Sequence, residues 1–80
     1  IKNNFMNIPD KEFLENNKVH LEILNVNGKW IRVDTFYDYA TAVNHGINKF
    51  FATHTAHRLT NNDGRIVELF DSELLSDFSN

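Results

Sequence analysis

The sequence predicts an α+β fold in which an antiparallel sheet of two β-hairpins packs against one central amphipathic helix. Two observations predict it. Two turns containing Asn and Gly each separate β-rich runs, and the segment between the hairpins repeats apolar residues at helical spacing. Short terminal helices complete the order α-β-β-α-β-β-α. We expect either one four-stranded sheet or two packed hairpins around this ββαββ core.

The chain has 80 residues and no internal stretch rich in Gly, Ser or Pro, so we predict a single domain over residues 1–80. Met6 follows five residues, and we expect residues 1–5 to be disordered or an expression remnant. With no cysteine the chain lacks disulfides and thiolate ligands, which favours a cytoplasmic location. No apolar run approaches the roughly 18 residues of a membrane span, so we expect no membrane association.

The predicted terminal helices are both short. Pro9 suits the first position of a helix that ends at Asn16 and Asn17. At the other end, Asp71 or Ser72 can cap a helix. The inward-facing residues of that last helix would be Leu74, Leu75 and Phe78.

The first hairpin turns at Asn27-Gly28. A three-residue loop from Val26 to Gly28, with Gly28 in the left-handed conformation, keeps like side chains on one face of the sheet. On the apolar face it pairs Ile23 with Ile31, Leu21 with Val33 and Val19 with Thr35. On the opposite face it pairs Glu22 with Arg32, His20 with Asp34 and Leu24 with Trp30.

The central helix is predicted from Tyr39 to Thr55, with Asp38 as N-cap. Gly46 lies near the apolar stripe, where a missing side chain lets the helix approach the sheet. The predicted inward residues are Tyr39, Ala40, Val43, Ile47, Phe50, Phe51 and His54. The predicted outward residues are Thr41, Asn44, His45, Asn48 and Ala52.

The second hairpin repeats the turn chemistry with the loop Asn62-Asp63-Gly64. An equivalent register pairs Leu59 with Val67, His57 with Leu69 and Arg58 with Glu68. We therefore predict a core of Leu21, Ile23, Ile31, Val33, Phe36, Val43, Ile47, Phe50, Leu59, Val67 and Leu69.

Histidines are the only candidates for a metal or catalytic site. Zinc accepts imidazole nitrogens, and His45, His54 and His57 are the candidate ligands. The geometry disfavours them, because His45 projects from the polar side of the predicted helix while His54 lies on its apolar stripe. His20 opposite Asp34 is the nearest approach to an acid–base pair, and we interpret it as an ordinary polar contact. We expect no metal, no cofactor and no catalytic residue, and hence no enzyme.

The sheet face turned away from the central helix is the predicted binding site. It would carry Trp30, Leu24, Arg32, Arg58 and Ile66, and Trp and Arg are the side chains most enriched in binding hot spots. In the competing interpretation the terminal segments cover Trp30 and Leu24. The covering residue would then be Phe5, Ile8, Phe13 or Phe78.

The leading functional hypothesis is a small non-enzymatic protein-interaction module. The missing catalytic motifs, the small size and the acidic net charge of −3 favour an inhibitor or accessory factor, and the abundance of asparagine suggests an origin in a phage or mobile element. The first alternative is a nucleic-acid-associated protein that uses Trp30, Arg32 and Arg58. The net charge and the glutamates paired with these arginines disfavour it. The second alternative is a homodimer built through strand edges or the Trp30 faces, with a structural role.

Overall fold

The computed structural model describes residues 11–73. The elements are α1 (Lys11–Asn16), β1 (Val19–Leu24), β2 (Trp30–Phe36), α2 (Tyr39–Thr53), β3 (His57–Asn61) and β4 (Ile66–Phe70). The strands form one four-stranded antiparallel sheet in the order β2-β1-β3-β4, with α2 packed on one face. The predicted α+β class is confirmed, and the hairpins share one sheet.

Both predicted three-residue loops are present, and an asparagine side chain organises each of them. The Oδ1 atom of Asn25 accepts hydrogen bonds from the N–H groups of Asn27 and Lys29, both at 2.9 Å. Asn61 does the same in the second hairpin for Asp63 and Arg65. Gly28 and Gly64 have φ angles of 83° and 84°. This left-handed conformation is cheap only for glycine, which explains the sequence of both turns.

The predicted register of the first hairpin is correct from the turn to Arg32 and wrong from Val33 onward. Ile23 faces Ile31, Glu22 faces Arg32 and Leu24 faces Trp30, as predicted. A β-bulge then leaves Val33 without a cross-strand partner, because β2 has one residue more than β1 at this point. The pairs past the bulge are therefore Leu21 with Asp34, His20 with Thr35 and Val19 with Phe36.

The second hairpin contains a bulge at Val67, which makes all three predicted pairs wrong. The observed pairs are Leu59 with Glu68, Arg58 with Leu69 and His57 with Phe70. Successive side chains in a strand alternate between the two faces of the sheet. The extra residue therefore places every side chain beyond it on the face opposite to the predicted one. Phe70 is consequently turned towards α2, and Leu69 is turned away from it.

Helix α2 begins as predicted and ends two residues early. The Asp38 carboxylate accepts a hydrogen bond from the N–H of Thr41 at 2.9 Å. The helix ends at Thr53 because His54 adopts the left-handed conformation, with a φ of 57°.

The buried face of α2 is narrower than the predicted stripe. Ala42, Gly46 and Phe50 are buried at four-residue steps, with Val43 and Ile47 partly buried beside them. The helix therefore meets the sheet along one row. The predicted inward positions that are exposed instead are Tyr39, Ala40, Phe51 and His54.

Gly46 marks the closest approach of α2 to the sheet, as predicted. A Cβ atom at this position would lie 2.5 Å from Cε2 of Phe70. Phe70 is itself buried, so its ring has little room to move aside. The missing side chain therefore sets the distance between helix and sheet.

The core lies between α2 and the two central strands. Its buried apolar residues are Val19, Leu21, Ala42, Phe50, Leu59 and Phe70, and Phe36, Val43, Ile47 and Val67 pack against them. Ile23 is half-buried. The predicted core positions Ile31, Val33 and Leu69 are wrong, since their side chains are 45%, 52% and 51% exposed. All three residues lie on the outer strands. There the side chain is either beyond the reach of α2 or next to a bulge that has altered which face of the sheet it occupies.

The predicted terminal helices lie partly outside the described residues. Helix α1 ends at Asn16, and the N–H of Asn17 bonds to the carbonyl of Phe13 at 3.1 Å. Ser72 and Glu73 are helical after Phe70. The predictions that lie outside residues 11–73 concern residues 1–5, Met6, Ile8, Pro9, Leu74, Leu75 and Phe78.

The two hairpins occupy equivalent positions about the centre of the sheet. Asn25 and Gly28 of the first turn correspond to Asn61 and Gly64 of the second. Counting back from each turn, Glu22 corresponds to Arg58, and these two residues are also cross-strand partners in β1 and β3. An approximate two-fold axis therefore passes between them.

Candidate functional site

The sheet face opposite α2, which we call the outer face, carries three rows of side chains that run across the strands. The first row is Leu24 and Trp30. The second row is Leu69, Arg58, Glu22 and Arg32, and the third is Ile66, Thr60, His20 and Thr35. The rows follow from the register, because cross-strand partners point to the same face.

The second row holds an ion-pair network that is anchored on one glutamate. The Nε atom of Arg58 donates to Oε1 of Glu22 at 2.7 Å, and Nε of Arg32 lies 3.9 Å from Oε2 of the same carboxylate. The Glu22 side chain is only 12% exposed, whereas that of Arg32 is 56% exposed. Arg58 is therefore bound tightly, and Arg32 remains open to solvent.

Trp30 is joined to this network through Arg58. The guanidinium carbon of Arg58 lies 4.3 Å from the centroid of the Trp30 ring, which is cation–π distance. Arg58 thus contacts Trp30 and Glu22 at the same time. Trp30 is half-buried, so its ring is held in position while part of it stays accessible.

The structure brings together four of the five predicted binding residues. Trp30, Leu24, Arg58 and Arg32 lie in the first two rows. Ile66 lies in the third row on β4, across the Arg58–Glu22 pair from Trp30. It is 52% exposed, and Leu69 on the same strand is 51% exposed. Charged side chains therefore separate Ile66 from Trp30 and Leu24, the other apolar residues of the predicted surface.

The third row is polar and largely buried. His20 and Thr60 are 6% and 3% exposed, and Nδ1 of His20 lies 3.0 Å from Oγ1 of Thr35. Burial lowers the pKa of His20, and the nearby cations Arg32 and Lys18 lower it further. The predicted contact of His20 with Asp34 is wrong, because the bulge places Asp34 opposite Leu21, on the side of α2.

Under α2 lies a cavity of about 210 Å³ that the sequence interpretation missed. Its residues come from α2, β1, β2 and β3, and no local motif connects them. The lining residues are Leu21, Ile23, Val33, Asp34, His45, Lys49, Thr53 and His57. Only the four-residue spacing of His45, Lys49 and Thr53 on one helix face gives a signal in the sequence.

The three histidines considered for zinc are not brought together. His54 ends α2 and is exposed, while His45 stacks on Phe36 with 4.8 Å between the ring centroids. Within residues 11–73, no three His, Asp or Glu side chains are grouped so that they could hold a metal ion. No helix in this part of the chain is long and apolar enough to cross a membrane.

Comparison of the chain with protein-family models, curated proteins and solved structures finds no match.

Proposed function

We propose that this chain is a non-enzymatic binding module that recognises a protein partner through the first two rows of the outer face. The observation that carries the proposal is the contact of Arg58 with both Trp30 and Glu22. A tryptophan held by its neighbours loses little conformational freedom on binding. Trp and Arg are the side chains most enriched in binding hot spots.

The exposed Arg32 defines the chemistry of the partner. Within residues 11–73 its one ion-pair contact is with Glu22 at 3.9 Å, so most of its N–H donors are free for a ligand. Trp30 and Leu24 offer an apolar surface in the adjacent row. The complementary partner segment carries a carboxylate beside an apolar or aromatic side chain, with the carboxylate bound by Arg32.

The same geometry favours a protein over a nucleic acid. Glu22 neutralises Arg58 at 2.7 Å, which leaves Arg32 as the main free cation among the predicted binding residues. Phosphate binding depends on several unneutralised cations along the backbone. A single arginine beside one tryptophan is better suited to binding one side-chain carboxylate than to binding a polyanion.

The proposed biological setting rests on composition. The abundance of asparagine and the acidic net charge support an inhibitor or accessory factor of phage or mobile-element type, and the lack of cysteine supports a cytoplasmic location. The expected partner is accordingly a host protein.

Affinity capture with matched variants tests the proposal. Trp30→Ala and Arg32→Glu should each weaken capture of the same partner at least about tenfold, which corresponds to the loss of a hot-spot residue. Tyr37→Ala and Arg65→Glu are the controls, since Tyr37 is an exposed aromatic outside the strands and Arg65 an exposed cation in the second turn. Both control variants should capture the partner as the wild type does.

Circular dichroism establishes that each variant is folded before capture is compared. Equal capture by the wild type and all four variants would reject the outer face as the binding surface. Recovery of nucleic acid that is lost steeply with added salt would instead support the nucleic-acid alternative.

A further inference from the structure

We propose that the turn of the first hairpin is a modification site, in which Asn27 loses its side-chain amide to attack by the Gly28 nitrogen at a rate that the Asn25 side chain controls. The sequence supplies the reactive pair, because Asn27 is the one asparagine of the 80-residue chain that precedes a glycine. Glycine has no side chain to hinder the approach of its own nitrogen. The turn lies outside the rows of the proposed protein-binding surface, so this inference does not depend on that surface.

The reaction is a ring closure followed by a hydrolysis. The Gly28 nitrogen gives up its proton to hydroxide and attacks Cγ of Asn27. The N–Cγ bond forms and the Cγ–Nδ2 bond breaks, and the departing nitrogen takes a proton from water and leaves as ammonia. Water then opens the cyclic succinimide. Attack of this water at Cγ gives aspartate in a normal backbone, whereas attack at the main-chain carbonyl carbon gives isoaspartate, in which the backbone runs through Cγ.

Both reacting groups are accessible to solvent. The Asn27 side chain is exposed, and its amide forms no hydrogen bond within residues 11–73. The space around Gly28 is open as well, because an added Cβ atom would meet no heavy atom within 4 Å. Solvent therefore supplies the hydroxide and the water that the reaction consumes.

Hydrogen bonds of the closed turn restrain the attacking nitrogen. The Gly28 N–H donates to the carbonyl oxygen of Asn25 at 3.0 Å. The Asn25 side chain keeps the turn closed, since its Oδ1 atom accepts from the N–H groups of Asn27 and Lys29, both at 2.9 Å. Ring closure therefore requires the turn to open first. Asn25 is the positioning residue that limits how often the turn opens.

The second turn indicates which product the fold accommodates. Asp63 and Gly64 occupy there the positions of Asn27 and Gly28. The Asp63 N–H donates to Oδ1 of Asn61 at 2.9 Å, and the Gly64 N–H donates to the Asn61 carbonyl at 3.0 Å, the same distances as in the first turn. An aspartate with a normal backbone therefore fits this loop. Isoaspartate adds a methylene to the main chain and lengthens the loop that these hydrogen bonds close.

Mass spectrometry with peptide mapping tests the inference on the 80-residue chain in mildly alkaline buffer. Asn27 should lose its amide faster than every other asparagine, and the rate should rise with pH because the Gly28 nitrogen must lose its proton. Asn25→Ala should accelerate the loss about tenfold, which is the order expected when a turn loses two hydrogen bonds. Asn25→Asp keeps an acceptor oxygen and should restore a rate near that of the wild type.

Asn61→Ala is the matched control, because it removes the equivalent hydrogen bonds from the second turn. It should leave the rate at Asn27 unchanged. Equal acceleration by Asn25→Ala and Asn61→Ala would show that general unfolding controls the reaction, which overturns the role of Asn25. If Asn27 reacts no faster than the other asparagines, the modification site itself is rejected.

The variant Asn27→Asp isolates the product with the normal backbone. Its urea midpoint should equal that of the wild type, as the second turn indicates. Chain enriched in isoaspartate by prolonged incubation should unfold at a lower urea concentration. A marked loss of stability in Asn27→Asp would contradict the equivalence of the two turns.

Discussion

Thr60 and Thr35 lie in the same row of the outer face and differ in their hydrogen bonding. Oγ1 of Thr35 lies 3.0 Å from Nδ1 of His20. Oγ1 of Thr60 is buried without a hydrogen-bond partner among the described residues. A buried polar atom without a partner costs free energy, whereas a bonded one contributes a little.

We expect Thr60→Val to raise the free energy of unfolding by about 1 kcal/mol, because it replaces an unsatisfied hydroxyl with a methyl group of similar size. Thr35→Val is the matched control. It should lower the free energy of unfolding by about 1 kcal/mol, since it removes the partner of His20. Urea denaturation measures both values. A loss of stability in Thr60→Val would show that its hydroxyl is bonded after all.

The lowered pKa of His20 predicts a pH dependence of stability. Burial lowers the pKa below its ordinary value of 6.5 in the folded state. The unfolded chain therefore binds the proton first as the pH falls. The stability contributed by neutral His20 is complete above 6.5 and is lost as the pH falls through the lower folded pKa. Glu22, Arg32, Lys18 and the Asn62 side chain are the groups that act on His20.

Urea midpoints near pH 7.5 and pH 5.5 measure this effect. Other carboxyl groups also titrate, so His20→Gln provides the reference, with an uncharged side chain of similar polarity. The free energy of unfolding should fall more in the wild type than in His20→Gln, by at most about 1.4 kcal/mol per pH unit. Parallel pH profiles for the two proteins would contradict the assignment to His20.

At the scale of elements, the turns could be predicted and the bulges could not. Gly28 and Gly64 identify their loops because few residues tolerate a positive φ, so local chemistry determines the turn. Nothing local distinguishes Val33 or Val67, which are ordinary β residues. Each bulge depends on the packing of a whole outer strand against its neighbour. This explains why the predicted face of Leu69 is wrong.

The candidate site likewise contains some contacts that the sequence could predict and others that it could not. Trp30 opposite Leu24 and Arg32 opposite Glu22 lie between the turn and the first bulge, where the predicted register is correct. The cation–π contact of Arg58 with Trp30 depends on the pairing of β1 with β3. The strand order was not predictable from the sequence, because the two hairpins could also have packed face to face. The cavity was missed because it draws on four separate elements.

The approach of α2 to the sheet predicts an unusual cost for a small substitution. Gly46→Ala would normally stabilise a helix by about 1 kcal/mol. Here the new Cβ would lie 2.5 Å from Phe70, and the resulting overpacking typically costs about 1–3 kcal/mol. We expect a net loss of stability, measured by urea denaturation.

Asn48→Ala is the control for helix propensity, because Asn48 is an exposed position of the same helix. It should be neutral or slightly stabilising. The double variant Gly46→Ala with Phe70→Leu should lose less stability than the sum of the single variants, since a smaller side chain relieves the clash. Stabilisation by Gly46→Ala alone would contradict the close contact.

At the scale of the whole molecule, the Glu22–Arg58 pair joins the two hairpins across the centre of the sheet. Double-mutant cycles with Glu22→Gln, Arg58→Gln and Arg32→Gln separate the two ion pairs. The coupling of Glu22 with Arg58 should be about 1–3 kcal/mol, because both side chains are mostly buried. The coupling with exposed Arg32 at 3.9 Å should stay below about 0.5 kcal/mol. Equal couplings would mean that the central pair has no special role.

The approximate two-fold relation of the hairpins has a consequence for how such a chain can arise. If two copies of one identical hairpin were joined edge to edge in this way, the same residue type would lie on both central strands at the midpoint, directly opposite its copy. Two carboxylates or two guanidinium groups would then repel each other in a largely buried position. Glu22 and Arg58 avoid this because they differ in sign. A simple gene duplication of either half would therefore need to diverge at this position before the assembled sheet became stable.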